Sequence, residues 1–340
     1  YHLIFIVKIK NMMDVCIIGG GLVGLTLAKA LVNQGIYVDI FHNQNHRINK
    51  SRTVGISKAN IDFFNENILD IKKLTWDINK IEIYSENLKN EKMLNFQNKE
   101  KKLFFIVRNY ELLNSLTLSL NKNKFFKSID VKKVKAEKYR LIINCDINSF
   151  LTKKYFNKKF FKKYDSFAYT TIINHKKIPN KTAIQIFTKK GPLAFLPLSE
   201  FKTSVVYSVR SNKDLDIEVL IKKYNNKYSI TRINQIFKFE LTSSDLRTYY
   251  FQNILAFGDL LHKLHPLAGQ GFNMTIRDIK VLVQLIKFKL DHGLDLDSSI
   301  CTEFEKKIKH KNFIFSNSID FIYEFFNFER KTKNTLLSKS

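Results

Sequence analysis

The sequence predicts an α/β fold in which a parallel-sheet part is interleaved with an antiparallel sheet and followed by C-terminal helices. Two observations predict the parallel part: near residues 14–33 and 254–290, an apolar strand runs into a glycine-rich loop and then into an amphipathic helix. A third observation predicts the antiparallel sheet, because residues 160–210 contain four strand-like runs separated by turn residues. A chain of 340 residues is long enough for both parts.

The composition is that of a globular protein with a large excess of positive charge. Hydrophobic residues make up 44% and charged residues 26%, which excludes disordered and collagen-like chains. The 57 basic and 31 acidic residues give a net charge of +26. The abundance of Lys, Asn, Ile and Phe is typical of AT-rich coding, and no nucleic-acid motif accompanies the charge, so we predict no nucleic-acid partner. A weak attraction to anionic lipid stays open.

The cysteines and histidines indicate neither disulfides nor a metal site. Cys16, Cys145 and Cys301 lie far apart and form no CxxC pair or Cys/His cluster, which favours reduced thiols in a cytosolic protein. The eight histidines are scattered, so no metal is predicted.

The termini and apolar runs bear on where the protein resides. Met12 and Met13 directly precede the first strand, so we expect residues 1–12 to be a non-native leader. No apolar run reaches the length of about 18 residues that a membrane span needs. We therefore expect a cytoplasmic protein, with peripheral contact at the inner face of the membrane left open.

The first glycine cluster follows the apolar run 14–18 and reads G-x-G-x-x-G. A predicted helix over 22–33 and a second strand over 37–41 complete a β-turn-α-β unit, the context that the dinucleotide fingerprint requires. In such a unit a pyrophosphate rests on free amide groups at the helix N-terminus. We favour the dinucleotide-binding interpretation over a tight structural turn. It predicts that the cofactor contacts Gly19, Gly20, Gly21, Leu22, Val23 and Gly24.

The second strand of this unit lacks the acidic residue that normally binds a ribose hydroxyl. His42 occupies that position, and we expect it to hydrogen-bond in its place, with a weakened adenosine site. Asp39 is a poor substitute because it is predicted to point to the opposite face of the sheet.

The second glycine cluster spans residues 258–273, between an apolar strand over 254–257 and a helix over 272–290. Asp259 follows a buried strand, and we expect it to be a buried carboxylate that binds a polyol. The amides between Gly269 and Asn273 stand at a helix N-terminus and can bind an anionic or electron-rich ring edge.

This second stretch resembles the FAD-dependent aromatic hydroxylases of the para-hydroxybenzoate hydroxylase fold, and among them the ubiquinone-biosynthesis hydroxylases. The run HPLAGQG is nearly diagnostic. The positions that match the family pattern are Gly258, Asp259, His262, Pro266, Gly269, Gln270, Gly271, Asn273 and Asp278.

Further segments carry the same resemblance from Met13 to about Arg330. Residues 52–57 (RTVGIS) resemble a flavin-contacting loop that includes Arg52, and residues 107–116 (VRNYELLNSL) resemble a helix that puts Asn109 near FAD. Residues 163–168 and 187–198 (FTKKGPLAFLPL) resemble strands of the substrate domain. By resemblance, Gly269, Gln270, Gly271 and Asn273 join Asp259, Arg52 and Asn109 as cofactor-binding residues.

The resemblance also implies how the chain is divided. It implies an FAD-binding, Rossmann-like domain over 13–70, 101–160 and 245–295, and a substrate-domain sheet over 71–100 and 161–244. Residues 296–340 are expected to be C-terminal helices.

The implied activity is hydroxylation of a polyprenyl phenol or benzoquinol of ubiquinone biosynthesis through a flavin C4a-hydroperoxide. FAD, NAD(P)H as reductant and O₂ as co-substrate are the implied cofactors, and other ubiquinone-biosynthesis proteins are implied partners. This chemistry needs no side-chain nucleophile. His262 and Pro266 are the candidates for residues acting beside the flavin.

One motif departs from the family, which leaves alternatives open. In the GADG-x-x-S motif, Asp146 remains, Ile147 replaces the second glycine and Ser149 stands one residue closer. Residues 121–140 are short and Lys-rich, as though a strand pair were trimmed. With His42, these features keep a catalytically weak FAD-binding accessory subunit as an alternative. A prenyl-reductase-like flavoenzyme is a further one.

Overall fold

A computed structural model describes residues 13–42, 50–86, 92–97, 102–210, 215–264 and 270–332. The expected leader over 1–12, Pro266 and Gly269 lie outside the described residues. The described helices are α1 Leu22–Val32, α2 Lys58–Asn67, α3 Asn109–Asn121, α4 Phe150–Tyr155, α5 Ile217–Tyr224, α6 Gln270–Asp291 and α7 Ser299–Thr332.

The strands belong to three sheets among the described residues. They are β1 Met13–Ile18, β2 Val38–His42, β3 Thr53–Ser57, β4 Thr75–Ile78, β5 Lys80–Ser85, β6 Lys92–Gln97, β7 Phe104–Arg108, β8 Phe126–Asp130, β9 Tyr139–Asn144, β10 Lys159–His175, β11 Thr182–Thr188, β12 Gly191–Pro197, β13 Lys202–Val209, β14 Ile230–Ile233, β15 Phe237–Leu246, β16 Tyr250–Phe251, β17 Ile254–Ala256 and β18 His262–Lys263.

The first sheet is mostly parallel and has the order β16-β17-β9-β1-β2-β8. Its central strand β1 is buried on both faces, as expected where helices cover both sides of a parallel sheet. The order of connection reverses at β1, because the chain goes first to β2 and β8 and then to β9 and β17 on the other side. Such a reversal opens a crevice at the carboxyl ends of the strands.

The second sheet has nine strands in the order β18-β15-β10-β13-β12-β11-β5-β6, with β14 beside β10. It confirms the four strands predicted between residues 160 and 210, although β10 runs for 17 residues. The apolar side of α5 packs on one face of this sheet through Ile217, Ile221 and Tyr224. The other face is turned towards the loop before β3.

The third sheet, β3-β7-β4, differs from the predicted division of the chain. Residues 71–100 were expected in the substrate-domain sheet; β5 and β6 do belong to the nine-stranded sheet, but β4 pairs with β7, where Ile78 packs against Ile106. Within 245–295, β18 pairs with β15 of the nine-stranded sheet instead of staying with the parallel sheet. Both differences arise from pairing between residues distant in sequence.

The remaining segments bear on the middle and the end of the chain. The Lys-rich stretch 121–140 contains a strand, β8, that the sequence pattern did not predict. It pairs in parallel with β2 at the edge of the first sheet. Residues 299–332 form the single helix α7, in agreement with the expected C-terminal helices. None of the described helices is long and apolar enough to cross a bilayer.

Candidate cofactor-binding site

The candidate site lies at the carboxyl ends of β1, β2, β9 and β17. The strand register places Ile18 beside Phe41 and Asn144, and Asn144 beside Ala256. The residues that follow these strands therefore meet at one edge of the sheet. They are the first glycine loop (residues 19–24), the loop after β9 and the start of the second glycine loop.

The glycines of the first loop serve two different purposes. A Cβ on Gly24 would lie 1.9 Å from the Gly19 carbonyl oxygen, so this glycine lets α1 pack on the turn. A Cβ on Gly20 would lie 2.6 Å from Cγ of His42. Gly21, at the start of α1, has an ordinary φ of −77° and faces no described heavy atom within 4 Å. Neither packing nor backbone conformation explains Gly21, which leaves open space beside the first amides of α1.

The second glycine loop likewise has one glycine that packing requires and one that faces open space. Gly258 has φ +65°, and a Cβ there would lie 2.5 Å from Cγ1 of Val23. This close approach joins the second loop directly to α1. Gly271, in the first turn of α6, again faces no described heavy atom within 4 Å. The other such glycines, Gly35 and Gly293, have φ values of +76° and +65°, which explain them without a ligand.

Two carboxylates border the edge between these loops. Asp259 is exposed on a short 3₁₀ helix, so the expectation of a buried carboxylate is wrong for the described structure. Asp146 is half-buried in the loop after β9. Burial, followed by the charges of Asp146 and Asp259, raises the pKa of the Cys145 thiol.

His42 ends β2 beside the first glycine loop. Its Nε2 lies 2.9 Å from Oγ of Ser128 on β8, so the ring has a fixed place next to Gly20. Asp39 lies on the other face, where its carboxylate accepts a hydrogen bond of 2.7 Å from the Tyr139 hydroxyl. Asp39 therefore does not replace His42, as the strand alternation predicts.

The loop before β3 connects the parallel sheet to the nine-stranded sheet. The backbone N–H of Asn109 donates to the carbonyl oxygen of Arg52 over 3.0 Å, so these two predicted cofactor residues are neighbours. The Arg52 guanidinium is exposed and lies 5.8 Å from the ring centre of Phe239 on β15. On either side of Arg52, Ser51 pairs with Thr170 and Thr53 pairs with Ser204, each over 3.0 Å.

The side chain of Asn273, in the first turn of α6, forms hydrogen bonds with β3 and α2. Its Oδ1 accepts from the backbone N–H of Ser57 over 2.9 Å and from Nδ2 of Asn60 over 2.8 Å. Its Nδ2 donates to the carbonyl oxygen of Gly55 over 2.8 Å. The side chain thereby fixes α6 to β3 and α2. The contact of Asn273 with a cofactor stays a prediction.

His262 is buried, which does not suit the expected action beside a flavin. The side chain is 1% exposed, and its Nε2 lies 2.7 Å from Oδ2 of Asp278 on α6. Burial lowers the pKa of the His262 imidazole, but the hydrogen bond and charge of Asp278 raise it by more than burial lowers it, so the pKa is raised overall. The pair ties the second glycine loop to α6 from inside the core.

Asn144 is a residue of the site that sequence reasoning missed. Its Nδ2 donates to Oγ1 of Thr152 over 2.8 Å, and its Oδ1 accepts from Oγ of Ser149 over 3.1 Å and from the Asp146 N–H over 3.2 Å. Ser149 also caps the N-terminus of α4. The sequence feature that could have revealed it is the position of Asn144 at the start of the stretch that corresponds to the GADG-x-x-S motif.

The cysteines and the acidic groups of the described residues indicate neither a disulfide nor a metal centre. Cys16, Cys145 and Cys301 are free thiols, and burial raises the pKa of each. Within the described ranges, no group of three or more His, Cys, Asp or Glu side chains could hold a metal ion.

The chain matches known flavoproteins in sequence. Residues 12–91 match the FAD binding domain family. The chain is 24% identical to the mitochondrial ubiquinone biosynthesis monooxygenase COQ6 of Schizosaccharomyces pombe, over 94% of this chain and 86% of that protein. It is 26% identical to the 3-demethoxyubiquinol 3-hydroxylase of Escherichia coli, over 44% of this chain and 41% of that protein.

Solved structures match the fold. The probable FAD-dependent monooxygenase PqsL of Pseudomonas aeruginosa superposes with a TM-score of 0.73, at 16% identity, over 97% of this chain and 98% of that chain. The p-nitrophenol 4-monooxygenase PnpA of Pseudomonas putida gives a TM-score of 0.77, at 13% identity, over 96% and 93%. The resemblance to the ubiquinone-biosynthesis hydroxylases is therefore confirmed across most of the chain, and the fold is that of the FAD-dependent monooxygenases.

Proposed function

We propose that this protein is an FAD-dependent aromatic-ring monooxygenase that hydroxylates a polyprenyl phenol or benzoquinol intermediate of ubiquinone biosynthesis. The observation that carries the proposal is the pair of open glycines, Gly21 and Gly271, on two loops joined where Gly258 meets Val23. When bound, FAD supplies the redox chemistry, with NAD(P)H as reductant and O₂ as co-substrate.

The residues of the site have distinct roles in this proposal. The amides of the first glycine loop bind the pyrophosphate, and His42 binds the ribose of the adenosine half. Asp259 accepts hydrogen bonds from the ribityl hydroxyls. The free amides of Gln270 and Gly271, at the N-terminus of the 22-residue helix α6, stabilise negative charge on the flavin edge.

The sheet face beside Arg52 supports a lipophilic substrate. Thr170 and Ser204 contact the Arg52 loop, and residues paired across neighbouring strands lie on the same face of a sheet. The central positions of β10, β13 and β12 on this face carry no charge, and Lys202 lies at the far end of β13 on the same face. The uncharged positions are Ala168, Thr170, Ile172, Ser204, Val206, Ser208, Pro192, Ala194 and Leu196. This wall suits an uncharged ring with a prenyl tail.

Turnover of a defined phenol tests the proposal. We expect the purified chain to retain FAD and to oxidise NAD(P)H faster when a prenylated phenol is added, with one oxygen atom from O₂ in the product. Mass spectrometry after labelling with ¹⁸O₂ measures that transfer. Oxidation of NAD(P)H without labelled product contradicts the proposed activity.

A second candidate is a catalytically weak FAD-binding accessory subunit of the ubiquinone-biosynthesis proteins. Ile147 favours it, because this residue stands where the family has glycine and its side chain is 46% exposed at the edge of the site. A chain that holds FAD, shows no substrate-dependent NAD(P)H oxidation and raises the activity of a partner hydroxylase supports this candidate.

A further inference from the structure

Lysines and aromatic residues alternate in residues 150–161, which read FLTKKYFNKKFF. This segment contains four lysines and no acidic residue. Phe150, Phe160 and Phe161 are 54%, 57% and 53% exposed. We call the outer side of residues 150–161 the basic-aromatic surface.

The basic-aromatic surface is continuous with the end of β15 and with β16. The backbone N–H of Arg247 donates to the carbonyl oxygen of Lys158 over 3.1 Å, and the Arg247 guanidinium lies 4.7 Å from the ring centre of Phe160. The rings of Tyr155 and Phe251 stack with centres 4.2 Å apart. Helix α4, the start of β10 and the 247–251 turn thus form one surface.

The charge of this surface is not neutralised by neighbouring carboxylates. Its four lysines are exposed, and none of them forms an ion pair with another described residue. Ion pairs begin just beyond it, where Lys162 contacts Glu324 over 3.0 Å. Helix α7 exposes two phenylalanines, Phe313 and Phe321. Lys309, one turn before Phe313, is paired with Glu305, and Asp320 and Glu324 flank Phe321.

We propose that the basic-aromatic surface docks the chain on an anionic lipid bilayer. Lysines near an anionic headgroup layer are attracted to it, and exposed phenylalanine rings bury apolar surface at the boundary between headgroups and acyl chains. The surface begins four residues after Asp146, whose backbone nitrogen would lie 3.2 Å from a Cβ on Gly19. Docking there brings the candidate cofactor site close to the bilayer. Docking of this kind does not depend on the proposed activity and can be measured without turnover.

Vesicle sedimentation of the full chain tests this proposal with matched variants. The surface variant is K153Q/K154Q/K158Q/K159Q, and the control is K72Q/K73Q/K132Q/K133Q, which removes the same charge from exposed lysines elsewhere. Vesicles contain phosphatidylcholine with or without phosphatidylglycerol. We expect the surface variant to partition at least about tenfold less than the control onto phosphatidylglycerol vesicles at low salt.

A second pair of variants tests the aromatic contribution. F150S/F160S/F161S is expected to weaken partitioning more than F96S/F201S/F288S, since both sets replace exposed phenylalanines. Circular dichroism verifies that each variant is folded. Equal losses in surface and control variants, or equal binding to neutral and anionic vesicles, overturn the proposal. The proposal is also overturned if the chain binds a DNA oligonucleotide through these four lysines but does not bind vesicles.

Discussion

The loop after β1 and the loop after β9 border the same edge of the parallel sheet, but they are built in different ways. The loop after β1 depends on glycine, because a Cβ at Gly24 would collide with the Gly19 carbonyl. The loop after β9 has no glycine, and the side chains of Asn144, Ser149 and Thr152 hold it through hydrogen bonds. A motif can therefore lose its glycines and still form an ordered turn when buried polar side chains replace them.

The largest expected effect comes from closing the open side of Gly21. Gly21→Val places a branched side chain where no described atom lies within 4 Å, so the fold is expected to persist while FAD affinity falls by more than about a hundredfold. The measurement is flavin absorbance per folded molecule, with folding followed by circular dichroism. Gly24→Ala is the matched contrast, because it is expected to lose folded protein and flavin together. Full flavin occupancy in Gly21→Val would show that this loop does not hold the pyrophosphate.

Removal of the Asp259 carboxylate tests the edge between the two loops. Because Asp259 is exposed, Asp259→Ala is expected to change the free energy of unfolding little, within about 0.5 kcal/mol. Loss of two hydrogen bonds to a charged acceptor is expected to weaken FAD binding by about a hundredfold. Fluorescence titration of apoprotein with FAD measures this change. Asp70→Ala, another exposed aspartate, serves as control, and equal FAD affinity in both variants contradicts the ribityl role.

Asn144→Ala tests whether side-chain hydrogen bonds hold the loop after β9. The substitution removes the hydrogen bonds of Asn144 with Thr152, Ser149 and the Asp146 N–H and leaves only the bonds that these groups make among themselves. We therefore expect a loss of about 2 kcal/mol in the free energy of unfolding. Urea unfolding followed by circular dichroism measures this loss. Asn148→Ala, which removes an exposed side chain from the same loop, is expected to be near neutral. A neutral Asn144→Ala would mean that the hydrogen bonds do not hold the loop.

The smallest expected effect is a pH dependence from the buried pair behind the second glycine loop. The pKa of His262 is lowered by burial but raised more by Asp278, with Asp259 and Asp245 adding to the rise. Arg277, whose Nη2 is 3.8 Å from Oδ1 of Asp278, is the cation beside the pair. A histidine whose pKa is raised on folding stabilises the chain below its unfolded pKa, and this contribution is lost as the pH rises through the folded value.

Comparison of the wild type with His262→Gln isolates that contribution. The difference in free energy of unfolding between the two chains is expected to be greatest below a pH of about 6.5 and to shrink as the pH rises above it. Urea unfolding across this pH range provides the measurement. A difference that is constant with pH would show that His262 does not gain charge stabilisation on folding.

Local sequence determined the elements that frame the site. The apolar run into Gly19, the helix over Leu22–Val32 and the strand over Val38–His42 follow from periodicity and glycine placement within about 30 residues. The strands β10 to β13 and the helices α6 and α7 were predicted for the same reason. His42 was also placed correctly beside the first loop, because strand length fixes where β2 ends.

Only the tertiary structure decided which distant residues meet. The pairing of β4 with β7 and of β18 with β15, and the burial of His262 against Asp278, depend on contacts between segments far apart in sequence. The exposure of Asp259 and the hydrogen bonds of Asn144 likewise depend on neighbours that no local pattern specifies. The physical reason is that periodicity determines which face of an element is apolar, whereas strand register and the packing of polar side chains determine what that face contacts.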